Sequence, residues 1–194
     1  MNQHDHDRSL QGRRKRRRAL VAILLGASLA TLGAGAMSLA VFSDSQAASG
    51  AWTTGTIVLG VTPSTAFSAT NILPGDTGSQ TIAVSNSGTG ALRYAISTSA
   101  TNADGKGLAA QMTLTVSPGT CASPGSSVYS GALGSAAVGS ATQGSQAGDR
   151  TLASGANENL CFAWSFPLAS GNGFQNAATT ATFTFAAEQT ANNP

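Results

Sequence analysis

Six short runs of alternating apolar and small polar residues constrain this chain more than anything else in it. An apolar residue at every second position turns one face of an extended strand to a core and the other to water. In "TIVLGV" the inward set is Ile57, Leu59 and Val61; in "QTIAVSN" it is Ile82 and Val84. "LRYAIS" presents Leu92, Tyr94 and Ile96, and "QMTLTVS" presents Met112, Leu114 and Val116. "NLCFAWSF" offers Leu160, Phe162, Trp164 and Phe166, and "ATFTFAAEQ" offers Phe183 and Phe185. Beyond residue 41 helical periodicity is absent, and "GKGLAAQM" supports a turn or two at most. Short strands with Thr, Ser or Ala opposite the apolar side predict an all-β fold, a sandwich or barrel of antiparallel sheets.

The breaks between the runs carry turn chemistry. "LPGD" (Leu73 to Asp76) places Pro second and Gly third, as a type II turn requires. "NSGTG" (Asn86 to Gly90) tolerates positive φ and predicts a hairpin connection between its flanking strands. Residues 122–150 are low-complexity Gly, Ser and Ala, expected to form a long surface excursion around one short strand at Val128–Tyr129.

Charge divides the chain in two. Of its ten basic residues, only Arg93, Lys106 and Arg150 lie after residue 41, against six acids there. That part is mildly acidic, has no basic patch for phosphates, and is not expected to bind nucleic acid. The other basic residues form the cluster at 8–18, followed by the uncharged run Ala19 to Val41. A basic n-region before an apolar h-region is the order of an export signal over 1–41. As a helix the run would be about 35 Å long, enough to span a bilayer. Only "ALVAILL" is strongly apolar, which favours a cleaved signal over a permanent anchor. In either case the bulk of the chain works outside the membrane, either secreted or held at the cell surface. Cys121 and Cys161 suit an oxidising compartment. Joined, they would close a loop of about 41 residues, worth about 4 kcal/mol in the chain-entropy model; the alternative is two buried thiols. Cys161 alternates with Phe162, so a bridge is expected on the outer face, pinning the excursion.

Catalytic chemistry is sparse. Both histidines, His4 and His6, precede the basic cluster and would leave with the signal. The usual general base and the commonest zinc ligand are then missing. The acids are scattered, without the spacing of a calcium loop. "LPGDTG" is one residue too long for a sortase signal and has no apolar tail after it. No catalytic residue, cofactor or metal ligand is expected, and the chain reads as non-enzymatic.

The apolar segment running into "AVFSDSQAASGAWTTGTIVLGV", then "LPGD", then a strand ending "VSNSG", resembles the TasA/camelysin family of secreted matrix and surface proteins. The closing "NGFQNAATTATFTFAAEQ" resembles the family's last segment and final strand. The resemblance implies a jelly-roll-like β-sandwich and cleavage by a dedicated signal peptidase before Phe42. The local residues Ser38, Leu39 and Ala40 would instead leave Val41 first. For fibre-forming members it implies assembly of a chain with its own copies by strand donation, within a biofilm matrix or at a cell wall with other components. Here the donor would be 42–54, with Phe42 and Trp52 as anchors. Trp52 could equally close the core of its own subunit. A sandwich over 55–190 and a tail at 191–194 complete the expected organisation. A monomeric extracellular binding module and a camelysin-like metallopeptidase are the alternatives.

Overall fold

The computed structural model describes Gln46 and residues 48–193; the expected signal helix, the cleavage residues Ala40, Val41 and Phe42, and residues 42–45 and 47 of the donor segment lie outside the described residues. The described chain is mostly strand, in two antiparallel sheets. The first sheet is built on β1 (Leu59–Thr62), β2 (Thr77–Asn86), β9 (Asn157–Ser165) and β4 (Thr113–Thr120), in that spatial order. Strands β5 (Ser123–Pro124) and β6 (Tyr129–Ala132) extend it from β4. The second sheet has β3 (Leu92–Ala100) at its centre and β10 (Ala181–Gln189) on one side. On the other side of β3 lie β7 (Ala137–Val138) and β8 (Arg150–Leu152), one after the other.

The alternation seen in sequence becomes a single core between the sheets. Ile82, Val84, Leu114, Val116, Leu160, Phe162 and Trp164 of the first sheet meet Leu92, Tyr94 and Ile96 of the second. Each fully buried side chain of this size contributes roughly 1.5–3 kcal/mol through the water it leaves. "GKGLAAQM" forms α1 (Leu108–Gln111), one turn whose Leu108 and Ala109 are buried. Gly75 has a φ of +99° and the Asp76 N–H donates to Leu73 O, so the "LPGD" turn forms as expected.

Two expectations need correction. "NSGTG" is not a hairpin: β2 and β3 belong to different sheets, so this stretch is an arch that carries the chain across the sandwich. Asn86 makes the crossing possible. It is only 1% exposed, and its side-chain nitrogen donates to the carbonyls of Gly90, Leu152 and Ala153. Its side-chain oxygen accepts from the Gly88 N–H, which tightens the arch against the 152–156 turn. The arch also decides where β1 begins. Leu59 pairs with Asn86, the last residue of β2, and Thr56 and Val58 instead accept N–H groups of the arch. Ile57 is therefore outside the strand and partly exposed. A Cβ on Gly88 would stand 2.4 Å from Thr56 O, so the arch needs glycine there.

The second correction concerns 122–150. This stretch supplies β5, β6, β7 and the start of β8, and it places Leu133, Ala136 and Val138 in the core. Val128 precedes the strand that contains Tyr129. The remaining loop, 139–149, is held by Asp149, whose carboxylate accepts the Ser140 and Gln146 N–H groups. Burial of Arg93 and Ala95 on the outward side of β3 follows from this cover, because period-two alternation alone would leave them wet.

Asn86→Ala should lower stability by about 3 kcal/mol, since three carbonyls and one N–H lose a partner. Thermal unfolding should shift down by about 10 °C.

Candidate assembly surfaces and the disulfide

Strand β10 pairs along its whole length with β3, from Ala181–Ala100 to Gln189–Leu92. Its second edge pairs with no strand among the described residues. Natural edges are usually blunted by proline, lysine or a bulge. This edge has none of these; its single charge, Glu188, is engaged by Arg93. Behind the edge lies an aromatic floor that is only half covered. Phe183 stacks edge-on to Phe162, with centroids 5.2 Å apart, and to Phe67 at 6.3 Å. Phe185 lies 6.1 Å from Tyr94. Both phenylalanines remain half-buried, unlike Phe162.

The chain enters the sandwich beside the arch, where the Thr56 N–H donates to the Thr89 hydroxyl. Trp52, just upstream, is 90% exposed and so does not close the core of its own subunit. Phe42, the other candidate anchor, lies outside the described residues, so the two cannot be placed together.

Cys121 and Cys161 form a disulfide with their Cα atoms 4.7 Å apart. In β9, Cys161 lies between Thr81 of β2 and Ser117 of β4, on the outward side, while Leu160 and Phe162 enter the core. Cys121 follows β4 directly, and its N–H donates to the Thr81 hydroxyl. The bridge therefore folds the start of the low-complexity stretch back over the first sheet. Gly119, at φ +97°, gives the chain the reversal this requires.

The ionisable groups are spent on one another. Glu158 accepts from the Tyr94 hydroxyl at 2.6 Å and from Arg150, tying β9 to β3 and β8 across the core. Burial first, and then Glu158, push the Tyr94 hydroxyl far above its ordinary range. The hydrogen bond to Glu158 raises Arg150. Arg93 beside Glu188 holds that carboxyl below its usual range, and Glu188 accepts the Gly144 N–H from the covering loop. Asp104 is also lowered, first by the Lys106 N–H and then by that of Ala178. A recess of about 160 Å³ between the covering loop and β3 is lined by Arg93, Asp149 and Glu188. Those charges already have partners within the fold. Sequence reasoning missed the edge of β10 and the Tyr94–Glu158–Arg150 group; the isolated Glu158 within a strand was the available signal for the latter.

Free-thiol labelling of the denatured, non-reduced protein should find no reactive cysteine, and reduction should cost roughly 4 kcal/mol of stability. Acid should loosen the covering loop. A carboxyl whose folded pKa lies below its unfolded one contributes stability above the unfolded value and loses it as pH falls through the folded one. The hydrogen-exchange protection of the Gly144 amide should therefore fall below about pH 4.

A family model described as camelysin metallo-endopeptidase matches residues 13–111. No curated protein matches the chain. A peptidase of that description needs a metal. Among the described residues, no group of three His, Cys, Asp or Glu could hold one. Both cysteines are bridged, and Glu158 and Glu188 are paired with arginines. The described residues do not fit a catalytic metal.

Proposed function

The chain belongs to the TasA/camelysin family, and on that premise we propose that it is an exported, non-enzymatic structural protein of a bacterial surface or biofilm matrix. In this reading residues 1–41 direct export and are removed by a signal peptidase near Ala40, Val41 and Phe42. The freed segment 42–54 then pairs with the sandwich of another copy, and a jelly-roll-like domain becomes the repeating unit of a fibre. The observation that carries the reading is the open second edge of β10 with its half-covered floor of Phe183 and Phe185. An incoming extended segment would satisfy the edge by main-chain hydrogen bonds and seat alternate side chains on the aromatic floor. The exposure of Trp52 supports the same reading, because the residue is not used by its own core.

Electron micrographs and sedimentation of the released protein test this. Deleting residues 42–51 should leave a folded sandwich that no longer forms fibres, and a peptide of residues 42–54 should bind it. Normal fibres without those residues would overturn strand donation. A deletion that prevents folding would place the segment in its own subunit's sheet. Added zinc or calcium should leave the melting temperature unchanged; a rise following RT ln(1 + [L]/Kd) would reveal a metal site and revive a peptidase reading.

A further inference from the structure

Among the described residues six large apolar side chains are exposed: Trp52, Ile57, Val58, Leu73, Val128 and Leu168. Their placement is uneven. Leu73 and Leu168 sit together at the end where β2 begins. The "LPGD" turn and the loop after β9 are joined there, with the Gly75 N–H donating to Phe166 O and the Phe166 N–H to Asp76 O. Leu168 leans on that turn: a Cβ on Gly75 would lie 3.3 Å from its Cδ1. Leu73 is 67% exposed and Leu168 80%. Ile57 and Val58 sit at the opposite end, where β2 finishes in the arch, and Trp52 precedes them by a few residues in the chain. The ten residues of β2 separate these ends by about 30 Å. Val128 alone lies on the flank, beside Val116 in the middle of β4.

We propose that these two ends are the halves of one contact between copies, Leu73 and Leu168 of one chain receiving Ile57, Val58 and Trp52 of the next. The inference rests on the assembly reading above and adds to it a direction and an axial register. A lipid surface or an unrelated protein would need only one such patch. Two patches of like chemistry at opposite ends of a single molecule complement each other. A contact between unlike surfaces is heterologous: each copy offers one end and leaves the other free, so it repeats into an open array rather than a closed dimer. The N-terminal segment also enters the sandwich at the Ile57 end, so a donated strand and the end contact would share one joint. Five side chains bury far less than the roughly 800 Å² per partner of a standard interface. The contact therefore acts together with the donated strand, and neither alone sustains assembly.

The test uses the full chain as the producing cell releases it, with a head-blocked variant (Leu73→Asp with Leu168→Asp) and a tail-blocked variant (Ile57→Asp with Val58→Asp). Each variant alone should lose at least tenfold of the sedimenting assemblies formed by the parent. Mixed one to one, they should form pairs and nothing longer, since one working head and one working tail remain. A peptide of residues 42–51, which lacks Trp52, should bind the head-blocked chain as it binds the parent. Leu168→Asp alone, at the most exposed position of the head, should give a partial loss and guards against a folding defect in the double variants. Parent-like assembly by either double variant, or a mixture that stays monomeric, overturns the contact. A parent that never assembles removes the assembly reading itself, and this contact with it.

Discussion

Asn86 is the residue on which the rest of the structure turns. A strand that has just completed the first sheet must leave it, cross the core and begin the second within the five residues of "NSGTG". Such a crossing exposes backbone groups to an apolar interior, where each unpaired one costs about 1–3 kcal/mol. One buried amide side chain answers for four of them, on both the arch and the turn that leads into β9. The same residue ends the pairing of β1 and so fixes where the N-terminal segment comes free. Remove that amide and the arch and the turn after β8 lose their shared anchor.

From that crossing follows an asymmetry between the two sheets. The first is broad, and its outward side carries small hydroxyl residues and the disulfide. The second is narrow, with β3 covered on its outward side by a loop held through Asp149 and Glu188. The far side of β10 receives no such cover among the described residues. Charge is used sparingly: the Tyr94–Glu158–Arg150 group ties the two sheets, and the Arg93–Glu188 pair lies under the covering loop on the outward side of β3. Partly buried pairs of this kind hold geometry more than they add stability. Among the described residues no donor set fits the family's description as a metallo-endopeptidase, and the proposed assembly would draw on the open edge of β10 and the exposed Trp52.

The sequence by itself determined much of the core, because a period of two dictates which side chains share a face of a strand, though it misplaced Ile57 and missed Leu133, Ala136 and Val138. Leu114, Val116, Leu160, Phe162 and Trp164 all lie where alternation put them. It also determined the "LPGD" turn, through a proline and a glycine with fixed preferences, and the outward placement of Cys161. Only the tertiary structure decided which strands are neighbours. "NSGTG" has hairpin chemistry, yet it spans two sheets, because a local φ preference cannot report what lies 66 residues away at Leu152. The Gly/Ser/Ala stretch looked like surface because small residues carry no periodic signal, yet β3 and β4 recruit it as short strands. The free edge of β10 belongs to the same class. An edge is a property of sheet order, and sheet order is set by long-range pairing that no single strand's pattern records.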